Sequence, residues 1–299
     1  MNHIKQFNRT LNISDSNRHQ SWRDYRNLVS GFISEYITKH DISTNKLLVI
    51  GVGNSDDLDL SMLTKLYRQT SLSDIDIESM RSAVARYQLD NHSLILKEID
   101  YTGLENDPYW NDFINQILQC QYANEIKTFL DHLVNKIQSN SFFADFKTKY
   151  DSIIVSPIYT QLLFRQMKEY VSFLRSQKYP ELLARFLDNQ ILGMIPNIID
   201  SFNKNVISLL NEGGYLFVLS DIFEAKPNSP FYNKAKIAIE SEKGMDEIYE
   251  DYLSEFGVGI GDYGLLSLEK KLSLLQQEWF VWPFNHEKHY FVKLEIFKQ

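Results

Sequence analysis

The chain has 299 residues, 43% of them apolar and 23% charged, with a formal net charge of −8. This composition excludes a disordered chain, and the length suits one large domain or a domain with a substantial insertion. The acidic balance argues against broad, non-specific binding to nucleic acid or a membrane surface.

The single cysteine, Cys120, excludes an internal disulfide and any multi-cysteine metal site. In the helical context ILQCQYANEI it reads as an inert, buried or half-buried thiol, which fits a reducing compartment. The first twenty residues are polar and lack the apolar centre of a signal peptide. No run approaches the roughly 18 apolar residues of a membrane span, so a cytoplasmic, soluble protein is expected.

In chain order, residues 1–17 read as a loose arm. Apolar residues at spacings of three and four from Trp22 to His40 (Tyr25, Val29, Phe32, Ile33, Tyr36) form one face of an amphipathic helix. Together these make an N-terminal arm and helix over residues 1–44. A first strand, Leu47–Ile50, runs into the turn GVGNS, and a short helix over Leu58–Tyr67 follows. A second strand is expected over Ser71–Ile75, a helix over IESMRSAVARYQL, and a third strand over Leu94–Ile99. This β-α-β-α-β pattern implies a parallel sheet with right-handed crossovers.

Residues 105–147 are long for a plain crossover and mostly helical. The run DSIIVSP, 151–157, is a buried strand stopped by proline. Residues 160–210 read as two or three helices with breaks near Pro180 and Pro196. The strand Tyr215–Leu219 is expected after a helix-to-strand turn at NEGG. Residues 223–275 hold loops and helices. EWFVWPF and HYFVKLEIF, joined by a polar turn at Asn285–Lys288, form an antiparallel hairpin at the sheet edge.

In an open α/β sheet, ligands bind beyond the carboxyl ends of the strands, where strand order reverses. Gly51 and Gly53 allow close backbone approach there. Asp74, about 20 residues beyond the glycine turn, is placed to accept both hydroxyls of a ribose, with Asp76 as the competing acid. The alternative for either is an N-cap on the next helix. Asp100, ending the third strand, is placed to accept from an exocyclic amine such as that of adenine, with Ile99 or Tyr101 against the ring.

Taken together, LLVIGVGNS, LSDID, EIDYTGL, YDSIIVSPIY and LLNEGGYLFVLSD, followed by the terminal hairpin, resemble the class I S-adenosylmethionine-dependent methyltransferase family. The resemblance covers roughly residues 45–299, and motif order and spacing carry it. It implies a Rossmann-like three-layer α/β sandwich with a seven-stranded, mostly parallel sheet and an antiparallel C-terminal hairpin. Helical insertions are expected around 105–147, 160–210 and 223–275. It further implies S-adenosylmethionine as cofactor and S-adenosylhomocysteine as product. The cofactor candidates are Gly51, Val52, Gly53, Asp74, Ile75, Asp100, Tyr101 and Ser156.

Two positions depart from the family. Val49 stands where it usually carries an acid that helps hold the methionine part, and Ser55 stands for its third glycine. Asp56 or Asp57 is the candidate substitute for the missing acid. SPIY at 156–159 resembles the (N/D/S)-P-P-(Y/F) motif of enzymes that methylate amino nitrogens, with Ile158 for the second proline. Methyl transfer needs alignment more than a charged group. Tyr159 is the one catalytic candidate, weighed against a role as pocket wall. No metal spacing is present among the histidines. GVGIGDYG, 257–264, follows no strand and reads as a mobile loop or lid near the substrate side.

The function expected is methyl transfer to an unidentified acceptor, a small molecule before a macromolecule, with nucleic acid and membrane partners not expected. The alternatives are a catalytically silent cofactor- or partner-binding domain, amino-group methylation of nucleic acid or protein, and an NAD-binding oxidoreductase.

Overall fold

Leu47, Leu48, Val49 and Ile50 have no exposed surface, because the strand they form lies between parallel neighbours and is covered on both faces. The computed structural model describes residues 3–13, 17–89, 93–141, 148–241 and 244–299. The strands are β1 (Lys46–Ile50), β2 (Gln69–Asp74), β3 (Leu94–Glu98), β4 (Tyr150–Val155), β5 (Leu210–Ala225), β6 (Ser273–Trp282) and β7 (His289–Lys298). They make one sheet in the order β3-β2-β1-β4-β5-β7-β6. Strands β1 to β5 pair in parallel, and β7 is antiparallel to both β5 and β6. This is the seven-stranded architecture that the resemblance implied. Strand order reverses between β1 and β4, which locates the crevice for a ligand.

Before β1 stand α1 (Ile4–Ile13), α2 (Arg18–Ser21) and α3 (Arg23–Lys39). The crossovers within the first half carry α4 (Leu60–Leu66) and α5 (Ile77–Arg86), capped by Asp59 and Asp76. Between β3 and β4 lie α6 (Pro108–Asn111), α7 (Phe113–Gln119) and α8 (Ala123–Ser139). The expected helical content of 105–147 ends there for the described residues, because 142–147 lie outside them. A 3-10 turn at Tyr159–Gln161 then leads to α9 (Phe164–Ser176) and α10 (Glu181–Ser208). The last insertion holds α11 (Pro230–Ile239), α12 (Gly244–Phe256) and α13 (Ile260–Glu269).

Strand alternation splits the core in two. Leu48, Ile50, Ile153, Val155, Leu216 and Val218 face one side, under α7, α8, α9, α10 and α13. Leu47, Val49, Ile154, Phe217 and Leu219 face the other, against α3 and α4. At β6, Trp282 stacks on Tyr25 of α3 at 5.6 Å, and Trp22 donates to the Phe284 carbonyl at 3.1 Å. The N-terminal helices are thereby fastened to the far edge of the sheet.

Four expectations change. The loose arm is helical over α1, which seats Ile4 and Phe7 in the protein. Pro196 does not break the chain: α10 runs through it, held by one buried face that includes Ile191, Ile195, Ile198, Ile199 and Phe202. NEGG is a bulge inside β5 rather than a turn before it. Tyr150 pairs with Leu210 but Ser152 with Tyr215, and Gly213 takes φ +71° to accommodate the extra residues. The glycines of GVGIGDYG open a packed helix, α13. A Cβ at Gly264 would lie 2.3 Å from the Tyr159 ring, and one at Gly261 would lie 2.5 Å from the Asp221 carbonyl oxygen. These glycines serve close packing of α13 on β5 and on the turn after β4.

Candidate functional site

The turn after β1 is held open by backbone geometry. Gly51 and Gly53 adopt φ +75° and +46°, the left-handed region that favours glycine. The Gly51 N–H donates to the Ser73 carbonyl at 3.0 Å and to the Tyr101 hydroxyl at 3.2 Å. Ser55, at the third-glycine position, also takes φ +51°. Its hydroxyl donates to the Leu58 carbonyl at 2.8 Å, so a serine keeps the glycine-like conformation. A Cβ at Gly53 would lie 2.8 Å from Asn12 Oδ1 of α1. Gly53→Ala is therefore expected to cost about 1–2 kcal/mol in chemical denaturation. Adding Asn12→Ala should return only the steric part.

At the end of β2, Asp74 Oδ2 accepts from the Gly53 N–H at 2.9 Å, and Oδ1 accepts from the Asp76 N–H at 2.9 Å. Burial lifts Asp74 to about 6, against the pull of those backbone donors. Asp76 is fully buried and is the N-cap of α5: it accepts from the Ser79 N–H and hydroxyl, and from Asn12 Nδ2 at 3.0 Å. The competition between the two acids ends with Asp74 on the cleft and Asp76 committed to the helix.

Asp100 organises its own loop. Oδ1 accepts from the Thr102 N–H and hydroxyl, and Oδ2 from the Glu105 N–H. Tyr101 is buried, with its hydroxyl on Ser73 at 2.9 Å, so it props the glycine turn from below. Ile75 is 7% exposed and Ser156 3%. The Ser156 hydroxyl has no hydrogen-bond partner among the described residues.

The two acids following the turn differ sharply. Asp56 is buried in a basic nest, 2.7 Å from Arg86 Nη1, with Arg18 at 4.0 Å and His19 at 3.6 Å. Asp57 faces the cleft. Burial and the neighbouring Asp56 charge raise it to about 7, with Arg26 and Arg18 opposing. Val49 is fully buried in the core and lines neither cleft described below.

Two clefts share walls at the switch point. The main cleft, about 200 Å³, is bordered by Gly51, Val52, Gly53, Asp57, Asp74 and Ser156. A narrow side cleft, about 40 Å³, is bordered by Gly51, Asp74, Ile75, Asp100, Tyr101 and Ile4. All eight cofactor candidates therefore line one or the other. Sequence reasoning missed α1, whose Asn8 borders both clefts and whose Leu11 and Asn12 border the main one. Polar tethers hold it there: Arg18 donates to the Leu11 and Asn12 carbonyls at 2.6 Å, and Lys5 Nζ pairs with Glu98 at 2.5 Å.

An outer cleft of about 410 Å³ adjoins the main one, with Pro157, Gln161, Arg165, Trp282 and Phe284 lining both. Trp282 and Phe284 of the terminal hairpin are thus pocket walls. Arg165 is exposed and has no ion-pair partner among the described residues. Tyr159 is a correction. It is 1% exposed, donates to Asn203 Oδ1 at 3.0 Å and lines none of these clefts. It is a core residue joining the turn after β4 to α10, neither wall nor catalyst. Among the described residues, no group of three or more His, Cys, Asp or Glu could hold a metal ion. None of their helices is long and apolar enough to cross a membrane.

No family model matches the chain. Solved structures similar to it include the N-methyltransferase NodS from Bradyrhizobium japonicum WM9, at 12% identity and TM-score 0.43, covering 95% of this chain and 98% of that one. TehB from Haemophilus influenzae shows 12% identity and TM-score 0.43, covering 90% of this chain and 62% of that one. An O-methyltransferase family protein from Burkholderia thailandensis shows 7% identity and TM-score 0.42, covering 97% and 62%. The seven-stranded α/β fold rests on the strand order and reversed β7 of this chain itself.

Proposed function

We propose that the chain binds S-adenosylmethionine across the main and side clefts and transfers its methyl group to a small acceptor. The observation that carries this reading is Asp74, which stands at the carboxyl end of β2 and accepts from the Gly53 N–H of the turn after β1, beside the switch point. A carboxylate so placed accepts ribose hydroxyls, and two positive-φ glycines leave the backbone bare beside it.

The residues lining the clefts offer a chemical partner to each part of the cofactor. Asp74 holds the ribose, with Ile75 and Tyr101 bordering the adenine end. Asp57 supplies the anion for the methionine ammonium, in place of the acid that Val49 lacks. Arg165, on the shared wall, supplies the cation for the carboxylate. Asp100 acts at one remove, by shaping the loop that carries Tyr101. The side cleft is too narrow for adenine with α1 as it stands, so binding shifts Ile4 and Asn8 outward.

When bound, the cofactor supplies an electrophilic methyl group on a sulfonium. The chain's own part is to hold and orient it and to exclude water, for which the aromatic pair Trp282 and Phe284 forms the wall toward the outer cleft. A thermal-shift panel tests the reading. S-adenosylmethionine or S-adenosylhomocysteine at about 100 times its dissociation constant should add about 2.7 kcal/mol of stability. NAD should add none. Stabilisation by NAD alone would point instead to a dinucleotide-binding protein.

A further inference from the structure

The outer cleft carries a feature that the cofactor does not use. Asp221, in β5, lines it, and one carboxylate oxygen has no hydrogen-bond partner among the described residues. The other accepts from the Thr160 hydroxyl at 3.5 Å, and the backbone N–H of Asp221 itself also favours the charged carboxylate. Buried polar groups in folded proteins are nearly always paired, and an unpaired carboxylate is among the most costly to leave so. The surrounding walls are aromatic: Phe164, Tyr252, Trp282, Phe284 and Tyr290. Carboxylate and aromatic faces together are the surroundings that hold an ammonium ion.

Other charges at this cleft are accounted for. Lys288 pairs with Glu224 at 2.8 Å and lies 5.7 Å over the Tyr290 ring, so these two largely neutralise each other. Arg165 stands on the wall shared with the main cleft. Burial, with Asp262 adding, lifts Asp221 to about 6 while Thr160 and Arg165 oppose, so it is mainly ionised at neutral pH. Burial pushes the Tyr25 hydroxyl up, with Asp57 and Asp221 adding, so acids of both clefts act on the same side chain.

We propose that the outer cleft is the acceptor site and that it takes a small primary or secondary amine, held by Asp221 against the aromatic walls. The proposal rests on the main cleft being the cofactor site, because the acceptor class matters only beside a methyl donor. Asp221 is a substrate-binding residue in this account. For transfer the ammonium would first give a proton to Asp221, because only the neutral amine has a lone pair; that lone pair would take the methyl group as the bond to the donor's sulfur breaks, leaving a thioether and a methylated ammonium.

The test is equilibrium binding of benzylamine to the full chain, followed by tryptophan fluorescence and calorimetry at pH 7.5, with benzyl alcohol and benzoate as size-matched probes. S-adenosylhomocysteine is titrated separately. Benzylamine should bind at least about 10-fold more tightly than either neutral or anionic probe, the range of a charge-assisted hydrogen bond. Asp221→Asn, which keeps the shape, should erase that preference while leaving S-adenosylhomocysteine affinity within about 2-fold. Equal binding of benzylamine and benzyl alcohol overturns the proposal, and so does an undiminished preference in Asp221→Asn. A preference for benzoate overturns it in favour of an anion site at Arg165. Amine preference without S-adenosylhomocysteine binding would leave the amine site standing and sink the cofactor reading instead.

Discussion

Asp74→Ala is expected to weaken S-adenosylhomocysteine binding by about 10- to 150-fold, the range of one charge-assisted hydrogen bond. The carboxylate would hold the ribose hydroxyls, and it already orders the turn through the Gly53 and Asp76 amides. Asp74→Asn keeps one carbonyl acceptor and should fall between the two, measured by calorimetry on protein shown to be folded by its thermal midpoint. Binding should also depend on pH. Asp74 is raised to about 6, so wild-type affinity should increase as pH rises from about 5 to 7, as the carboxylate ionises. In Asp74→Ala that step disappears, and any change left near pH 7 belongs to Asp57.

Asp57→Asn should do the opposite to stability and to binding. In the wild type, burial lifts Asp57 from its ordinary 3.8 to about 7. Between those values the folded protein holds a proton that the unfolded chain has released. Stability from this group is therefore full below about 4, declines as pH rises to about 7, and is level above. The asparagine variant escapes this decline. It should be more stable than wild type by roughly 1–3 kcal/mol at pH 8, with the difference shrinking toward pH 4. The same variant should bind the cofactor at least about 10-fold more weakly, through loss of the ammonium partner. Urea unfolding at the two pH values, beside calorimetry, checks both halves. An Asp57→Asn protein with unchanged affinity would move the methionine end elsewhere.

What the sequence revealed and what it hid divide along a physical line. β1, β2, β3 and β4 lie within a residue or two of their expected limits, because each is a short run ended by glycine, acid or proline, mainly apolar in all but β2. That the eight cofactor candidates would line a cleft was legible because they sit at or just beyond strand ends, where chain position alone puts them near the switch point. Helix α1 was hidden because only Ile4 and Phe7 are buried and the rest of its hold is polar and long-range. Helix α10 was hidden by Pro196, whose local cost is offset by a long buried face on the same helix.

The walls of the outer cleft were beyond reach for a different reason. Arg165, Asp221 and Trp282 come from α9, β5 and β6, and only the closed sheet brings them to one cavity. No spacing in the chain marks them. Tyr159 was misplaced because its turn lies beside the site while its side chain points into the core. Val49 and Ser55 both have a structural place. Val49 fills the core, Ser55 keeps the left-handed turn, and Asp57 lines the main cleft.

Calorimetric titration of the full chain with S-adenosylhomocysteine at pH 7.5 tests the central claim most directly. Saturable binding at a single site, weakened in Asp74→Ala and in Asp57→Asn but not in Asp221→Asn, is the predicted result. No binding up to millimolar ligand, or binding indifferent to Asp74 and Asp57, would contradict it.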